Sequence, residues 1–273
     1  MTTRHHGADD GRGTGASGAA PVASGPDAPG PVDDPAVSAA QPAPEPQPAP
    51  EPPAAAAVVF GDRLDMAVRF AEVLADTGVS HGLIGPREVP ILWERHILNC
   101  AVVHEAFPEG AAIADIGSGA GLPGLALAVA RPDLQLHLVE PLLRRTNWLE
   151  DTVGALGLAN VTVVRARAEE LHGRLHVPYA TARAVARIDK LARWTFPLLV
   201  PGGQLVALKG ASAADELAAQ EKVLRRLGMT DAAIETYGSG LLDPPTLVVR
   251  ATVTPRASSG STKDRRKSRR RSG

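Results

Sequence analysis

The sequence predicts an α/β fold built on a doubly wound, mostly parallel sheet of seven strands. From residue 111 onward, short segments rich in Val, Ile and Leu alternate with segments whose apolar residues recur at the helical period. Such alternation is typical of parallel sheets with helices on both faces. The turn after the first strand contains four glycines between residues 117 and 124, and a turn of this kind lets the backbone approach a ligand closely.

Both ends of the 273-residue chain have compositions that do not support a folded core. Residues 1–57 contain twelve of the 24 prolines, and the alternating stretch 41–53 favours an extended polyproline II conformation. Residues 258–273 contain no apolar side chain. Segments of this kind cannot bury enough surface to offset their ordering entropy. We therefore expect a disordered Pro/Ala/Gly-rich arm over 1–57, a folded domain over 58–257, and a disordered basic tail over 258–273.

The net charge of −1 hides an asymmetry between the two ends. The first 57 residues carry two arginines against seven acidic residues, whereas the chain from Arg250 onward carries nine Lys and Arg against one Asp. A basic tail on a slightly acidic body indicates either a flexible arm for a polyanion or a solubilising segment. The dense run of arginines over 265–271 favours contact with RNA.

The sequence also limits where the protein works. Its single cysteine, Cys100, excludes an intramolecular disulfide and is expected to be buried. No apolar run reaches the roughly 18 residues of a membrane span, and the first ten residues lack the apolar region of a signal peptide. We therefore expect a cytoplasmic protein without membrane association.

Two helices precede the sheet and form a predicted N-terminal helical extension over 58–108. The apolar period predicts a helix over 62–77 that Gly78 ends, and a second helix over 89–107. The catalytic sheet domain follows over 109–257. Its predicted strands are 111–116, 134–139, 161–164, 179–185, 204–209, 234–237 and 246–253, and its predicted helices are 122–130, 142–156, 188–199 and 213–227. The last two strands are predicted to form an antiparallel pair at the sheet edge.

The glycine-rich turn fits two phosphate-binding patterns poorly. A Walker-type loop needs Gly-Lys-Ser/Thr at its end, but Gly124 is followed by Leu125 and Ala126. The dinucleotide pattern G-x-G-x-x-G fits residues 119–124. That register places Pro123, which has no N–H group, where backbone amides must hold a pyrophosphate.

A third pattern begins at Asp115 and continues with Gly117, Gly119 and Gly121. An acid at the end of the strand suits a cofactor that has a cationic head and no phosphate. Glu140 ends the next strand, where a carboxylate accepts hydrogen bonds from both ribose hydroxyls. This arrangement is typical of S-adenosylmethionine-dependent methyltransferases with a Rossmann-like fold. For Asp115 alone, a helix cap or a loop hydrogen bond is the alternative.

Four stretches of the chain resemble the bacterial small-subunit ribosomal RNA methyltransferase G family, also called glucose-inhibited division protein B. They are residues 115–124, the helix signature 83–99, the strand motif 182–184 and the lysine-containing strand end 208–210. The combination is more specific than the glycine loop alone. The resemblance covers about residues 60–253 and leaves both tails outside.

The resemblance implies transfer of a methyl group from S-adenosylmethionine to N7 of a guanine in 16S ribosomal RNA of the small subunit. It also implies which residues bind the cofactor. Gly117 and Leu122 would contact it from the loop, Ala168 and Glu169 would flank the adenine, and Arg183 would lie beside its reactive end.

N7 of guanine carries a free lone pair, so its methylation needs alignment and exclusion of water rather than a general base. Arg183 and Lys209, which both end predicted strands, are candidates to orient the O6/N7 edge. The alternatives are an ion pair for Arg183 and a solvated strand end for Lys209. His96 and Asn99, one helical turn apart, are candidates for the RNA face or for helix packing.

Other features carry less specific expectations. His172 and His176 lack a third ligand, so we expect no metal site. Trp93, Trp148 and Trp194 are expected in the core, with Trp93 the best candidate for stacking on RNA.

We expect a monomer whose partner is the small ribosomal subunit. The competing functions are methylation of a small molecule or a protein, and non-enzymatic regulation through nucleotide binding.

Overall fold

A seven-stranded sheet forms the centre of the structure, a computed structural model that describes residues 47–254. In chain order the strands are β1 (Ala112–Ile116), β2 (Gln135–Val139), β3 (Val161–Val164), β4 (Val177–Arg183), β5 (Leu199–Lys209), β6 (Met229–Tyr237) and β7 (Thr246–Val253). Their order across the sheet is β3-β2-β1-β4-β5-β7-β6. The predicted tail over 258–273, and the predicted arm as far as residue 46, lie outside the described residues.

The first five strands run parallel, and only β7 runs against its neighbours β5 and β6. This arrangement confirms the predicted doubly wound, mostly parallel fold and its antiparallel strands at one edge. In the register, Ile116 lies beside Val139, and Val139 lies beside Val164. The carboxyl ends of β1, β2 and β3 therefore finish at the same edge of the sheet.

The helix predicted over 213–227 is confirmed, whereas the other predicted helices are shorter than expected, and several continue as 3₁₀ or π turns. The α-helices are α1 (Ala54–Phe60), α2 (Leu64–Val73), α3 (Asn99–Ala101), α4 (Gly124–Ala130), α5 (Leu143–Leu156), α6 (Ile188–Thr195) and α7 (Ala213–Leu227). The 3₁₀ segments are Gly61–Arg63, Pro86–Ile91, Val102–Ala106, Ala168–Leu171 and Phe196–Leu198, and the π segments are Leu74–Gly78 and Trp93–Leu98. Gly157 and Gly228, both at positive φ, follow α5 and α7 and end these helices.

Each face of the sheet is covered by its own hydrophobic cluster. Ile113 belongs to the cluster that includes residues of α2, α4 and α5, whereas Ala114 and Ile116 belong to the cluster that includes residues of α6 and α7. Alternate residues of a strand point to opposite faces. Whether a residue is at an odd or an even place along its strand therefore decides which layer of helices its side chain faces. The same holds for the charged side chains at the strand ends.

The folded region begins earlier than the predicted boundary at residue 58. Helix α1 starts at Ala54, and Ala56 is fully buried. The indole N–H of Trp93 donates to the carbonyl oxygen of Pro50 over 2.8 Å. The proline-rich composition hides this segment because its contacts are made by backbone and small side chains. Trp93 is 1% exposed, so it belongs to the core and is not a stacking platform.

Other boundaries also differ from the prediction. The predicted helix over 89–107 is divided into 3₁₀, π and α segments, and Pro90 lies within the first of these. Strand β6 begins at Met229 rather than at residue 234, since it pairs with β7 along its whole length. Within residues 47–254, no helix is long and apolar enough to cross a membrane.

Candidate active site

A cavity of about 670 Å³ opens at the carboxyl edge of the parallel strands. Open α/β sheets bind ligands at this edge, and the volume is in the range of small-molecule sites. The lining comes from the carboxyl ends of β1, β2 and β4, from the segments that follow β1, β2, β3 and β4, and from the N-terminal extension. Its members are residues 83–85, 88, 96, 116–120, 122, 139–142, 145, 166–169, 183–185 and 194.

The glycine loop, defined as residues 117–124, and the neighbouring Glu140 form one wall of this cavity, the glycine wall. Gly117, Gly119 and Gly121 have φ values of 73°, 53° and 74°, in the left-handed region that other residues rarely adopt. A Cβ atom at Gly117 would lie 3.1 Å from both methyl groups of Val185, which lines the opposite wall. The glycines therefore give the loop its shape and also leave space between the two walls.

Most backbone amides of the glycine loop are already used within the protein. The donors and acceptors are Gly117 and Ser118 to the Val139 carbonyl (2.8 and 3.3 Å), Gly121 and Leu122 to the Ser118 carbonyl (2.7 and 3.2 Å), Gly119 to Glu140 Oε2 (3.1 Å), and Gly124 to Asp115 Oδ2 (3.0 Å). Pro123 has no N–H to offer. A pyrophosphate needs several free amides, so the loop suits a cofactor without phosphate.

Asp115 holds the glycine loop from the inside of the protein and does not line the cavity. It is fully buried, its Oδ2 accepts the Gly124 amide, and its Oδ1 has no partner within the described residues. Burial raises the pKa of this carboxyl to about 7. A Cβ atom at Gly124 would lie 2.6 Å from Oδ2 and would also clash with Leu138. Asp115 therefore forms the loop hydrogen bond that the sequence offered as the alternative to a contact with the cofactor.

Glu140 lines the cavity where the sequence places a ribose-binding carboxylate. Its side chain is almost fully buried, Oε2 accepts from the Gly119 amide, and Oε1 accepts from the Leu142 amide over 3.1 Å. Arg145 Nη1 lies 3.8 Å from Oε2. A carboxylate has about four acceptor sites. Glu140 can therefore hold the loop and still accept hydrogen bonds from a ligand.

The other predicted cofactor residues also lie around the cavity. Leu122 contributes an apolar surface from the glycine loop. Ala168 and Glu169 begin the 3₁₀ segment after β3, where Ala168 is buried and Glu169 is exposed. The structure brings these residues together with Glu140 and Arg183 around one cavity.

The arginine wall, defined as residues 183–188, faces the glycine loop. Arg183 is the last residue of β4, and its Nη1 donates to the Arg95 carbonyl over 3.1 Å and contacts Cys100 Sγ at 3.3 Å. Its Nη2 contacts His96 Nδ1 at 2.5 Å. The next residue, Ala184, has φ of 54°, which is a strained conformation for a residue other than glycine. The wall therefore needs support from the rest of the protein.

Lys209 supports the arginine wall from behind and does not line the cavity. Its Nζ donates to the Ala186 carbonyl over 2.8 Å and to Glu216 Oε1 over 3.1 Å, and the same Oε1 accepts the Ile188 amide. In the β4–β5 register Arg183 lies beside Leu208, so Lys209 points to the other face of the sheet. Arg183 and Lys209 both end strands, as predicted, but only Arg183 lines the cavity.

His96 and Asn99, the candidates for the RNA face, are not exposed surface residues. His96 is 7% exposed, and protein side chains occupy both ring nitrogens: Arg183 at Nδ1 and Glu88 at Nε2. Asn99 is half-buried, and its carbonyl accepts from the Thr246 hydroxyl over 2.9 Å. His96 lines the cavity, whereas Asn99 does not.

Two lining residues were not predicted for the site, and Trp194, which was predicted in the core, is half-buried. Arg145 and Trp194 line the cavity, and Lys190 Nζ lies 5.0 Å from the centre of the Trp194 ring. The basic residues that follow Glu140 in the first turn of α5 are the signal that could have identified Arg145. Trp148 and Cys100 are buried, as expected. Among the described residues, no group of three His, Cys, Asp or Glu side chains is arranged to hold a metal ion.

Comparison with known proteins places the chain in one family. A family model for rRNA small subunit methyltransferase G matches residues 63–242. Proteins named ribosomal RNA small subunit methyltransferase G are 54% identical over 202 residues in Streptomyces avermitilis (74% of this chain, 85% of the relative) and 57% identical over 196 residues in Streptomyces coelicolor (71% and 82%). The relative from Salinispora arenicola is 52% identical over 243 residues (85% and 96%). The chain therefore belongs to the rRNA small subunit methyltransferase G family.

Proposed function

We propose that this protein transfers a methyl group from S-adenosylmethionine to N7 of a guanine in 16S ribosomal RNA of the small subunit. One observation carries the proposal: a chain of the methyltransferase G family folds so that Glu140, Ala168, Glu169 and Arg183 surround one cavity beside the glycine loop. We propose that the protein acts as a monomer in the cytoplasm, with the small subunit as its partner.

The residues of the glycine wall fit S-adenosylmethionine better than a dinucleotide. The loop amides are used internally, which disfavours a pyrophosphate. Glu140 can accept from ribose hydroxyls, and Gly117, Gly119 and Leu122 leave an open, partly apolar surface beside it. The backbone of Ala168 and the side chain of Glu169 would flank the adenine.

The chemistry asks the protein for alignment rather than for a general base. When bound, S-adenosylmethionine supplies an electrophilic methyl group: the N7–carbon bond forms, the carbon–sulfur bond breaks, and its electron pair stays on sulfur. Arg183 has five N–H donors, and its contacts within residues 47–254 leave Nε–H and one Nη2–H available. These donors can hold guanine O6 and leave the N7 lone pair open. Holding the two reactants in line and excluding water lowers the barrier.

The mouth of the cavity carries basic side chains suited to RNA. Arg145 and Arg167 line the cavity, and Arg144 and Arg165 are exposed next to them in the chain. The carboxyl ends of β2 and β3 lie side by side, so these two loops present their arginines at one edge. Phosphate contacts of this kind position a nucleic acid. The target guanine must be unstacked to enter the cavity, which favours an RNA loop over a duplex.

Methyl transfer from labelled S-adenosylmethionine to small ribosomal subunits and to naked 16S RNA, followed by mapping of the modified base, tests the proposal. We expect 7-methylguanosine at one position of the RNA. Arg183→Ala should lower turnover at least about tenfold, equivalent to roughly 1.4 kcal/mol. Arg226→Ala is the control and should be neutral. Arg226 is exposed in the last turn of α7, just before β6 begins and away from the carboxyl ends of the parallel strands.

The competing functions predict different results in the same assay. A methyltransferase for small molecules or proteins would label other acceptors and leave both RNA substrates unlabelled. A nucleotide-binding regulator would bind nicotinamide dinucleotide tightly and transfer no methyl group. Either of these results would overturn the proposed function.

A further inference from the structure

Three polar side chains form a continuous hydrogen-bonded row along one side of the cavity. Glu88 Oε2 lies 2.8 Å from His96 Nε2, and His96 Nδ1 contacts Arg183 Nη2. All three residues line the cavity. Glu88 and His96 come from the N-terminal extension, whereas Arg183 ends β4, so the row joins two distant parts of the chain.

The hydrogen-bond partners fix the protonation state of His96. A guanidinium group only donates hydrogen bonds, so Nδ1 must be the unprotonated acceptor. Nε2 then carries the proton and donates it to the Glu88 carboxylate. A charged imidazolium would present a second donor to Arg183 and would lose this bond. The row is therefore complete only with a neutral His96 in the Nε2–H form.

The surroundings favour the same neutral state. Burial, followed by the charge of Arg183, lowers the pKa of His96 below its ordinary value of 6.5. The charged groups that face the ring are Glu88, which raises the pKa, and Arg95 and Arg183, which lower it. The hydrogen bond from His96 lowers the pKa of Glu88, which keeps the acceptor ionised.

We infer that His96 is a positioning residue that, as the neutral Nε2–H form held by Glu88, directs the guanidinium of Arg183 into the cavity. The inference rests on the proposed function, in which Arg183 orients the guanine. The Arg95 carbonyl and Cys100 Sγ hold Nη1, and His96 holds Nη2. Together these contacts fix the plane of the guanidinium. The N-terminal extension is thus part of the active site and not only a cover for the sheet.

Two amide substitutions separate the roles of the two ring nitrogens. His96→Asn places an amide oxygen near the position of Nδ1 and keeps an acceptor for Arg183. His96→Gln extends further, reaches the position of Nε2 near Glu88, and leaves Nη2 of Arg183 without its acceptor. We expect His96→Gln to lower kcat at least about tenfold with KM for S-adenosylmethionine changed less than about threefold, and His96→Asn to retain more than about a third of kcat.

The pH profile gives a second readout. In the wild type, kcat should fall on the acid side of the ordinary histidine pKa, because the pKa of His96 is lowered and protonation of Nδ1 breaks the bond to Arg183. His96→Asn has no titrating group at this position, so its acid limb should be displaced or absent. A merely structural role for His96 would not give this difference between the profiles.

The ligand-free protein provides a test independent of activity. In ¹⁵N-histidine NMR spectra, assigned with His96→Gln, we expect the signature of an Nε2–H imidazole whose Nδ1 is unprotonated. Arg183→Ala should raise the pKa of His96. An Nδ1–H form, or a pKa unaffected by Arg183→Ala, would overturn the inference.

Equal kcat values for the Asn and Gln variants, at equal thermal stability, would also overturn it. The proposed function is tested separately by the wild type. If the wild type methylates RNA and the His96 variants behave alike, only the inference about His96 fails. If the wild type transfers no methyl group to RNA, the proposed function itself fails, whatever the NMR spectra show.

Discussion

The two walls of the cavity are held together in different ways. The glycine loop is fixed by partners close in the chain: Gly124 bonds to Asp115, nine residues away, and Gly119 bonds to Glu140, 21 residues away. The arginine wall depends on distant partners, since Arg183 contacts residues 83 to 88 positions earlier. The glycine loop is therefore a local motif, and the arginine wall is a product of the whole fold.

This difference suggests a division of labour. Backbone conformation and close packing determine the shape of the glycine wall. A wall of fixed shape suits binding of the cofactor. In the arginine wall the charged side chain of Arg183 precedes a strained residue, Ala184. Contacts from the N-terminal extension support this wall on one face of the sheet, and Lys209 supports it on the other. The arginine wall suits the orientation of the reacting base. The following predictions separate the two walls. The effects expected on ligand binding or turnover are given from the largest to the smallest, and the test of Asp115 is read from stability instead.

Filling the glycine loop should have the largest effect. In Gly124→Ala the new methyl group meets Leu138 and the Asp115 carboxylate, and neither can move freely because both are buried. We expect a loss of about 1–3 kcal/mol in the free energy of unfolding, together with much weaker binding of S-adenosylhomocysteine in calorimetry.

The matched control for this substitution is Gly154→Ala in α5, where a Cβ atom meets nothing within 4 Å. This change should be neutral or stabilise by up to about 1 kcal/mol. Normal affinity in Gly124→Ala would show that the loop is not packed as tightly as the structure indicates.

Loosening the arginine wall should have an intermediate effect. Lys209→Met removes the donor to the Ala186 carbonyl and the partner of Glu216. The strained segment after Arg183 then loses one brace but keeps its arginine. We expect turnover to fall about three- to tenfold, less than in Arg183→Ala, with unchanged affinity for S-adenosylhomocysteine. A loss as large as that of Arg183→Ala, in a protein of unchanged stability, would indicate that Lys209 touches the substrate.

The pH dependence of stability tests how Asp115 holds the glycine loop. Burial raises the pKa of Asp115 from 3.8 to about 7. Between these values the folded protein keeps a proton that the unfolded chain has lost, so stability falls as pH rises towards about 7. Asp115→Asn keeps an acceptor for the Gly124 amide and removes this dependence.

The stability of Asp115→Asn relative to the wild type should therefore increase from about pH 5 to about pH 8, by roughly 2–3 kcal/mol. Thermal unfolding of the ligand-free proteins measures this difference. A difference that stays constant across the range would mean that Asp115 is ionised in the folded protein.

The smallest effect is expected for Arg145, on the outer side of the glycine wall. Its guanidinium lies 3.8 Å from Glu140 and is 39% exposed. Although Glu140 is buried, an ion pair this long with a solvent-exposed cation contributes little and is screened by salt. Arg145→Gln should weaken binding of S-adenosylhomocysteine less than about threefold, and the difference from the wild type should vanish at high salt. A large, salt-independent loss would show that Arg145 contacts the cofactor directly.

The same contrast explains what the sequence could predict. The glycine loop and Glu140 were predictable because each follows an apolar strand, and parallel strands bring their carboxyl ends together. Arg183 and Lys209 end neighbouring strands, yet they point to opposite faces of the sheet. Counting alternate residues from the apolar positions of each strand would have separated them. The same count places Asp115 on the face of Ile113, towards α4.

Other features could not be predicted from local pattern. The contact between His96 and Arg183 spans 87 residues, so helical spacing indicated only a face shared with Asn99. The early start of α1 was hidden in a proline-rich segment whose contact with Trp93 uses a backbone carbonyl. Such contacts arise from the tertiary fold, and residue composition does not report them.

The division between the walls is tested most directly by one pair of measurements on Arg183→Ala: the single-turnover rate of methyl transfer to the RNA, and the Kd of S-adenosylhomocysteine in the absence of RNA. If the glycine wall seats the cofactor and Arg183 orients the base, the rate should fall at least about tenfold and the Kd should change less than about threefold. An unchanged rate together with a tenfold weaker Kd would contradict the division.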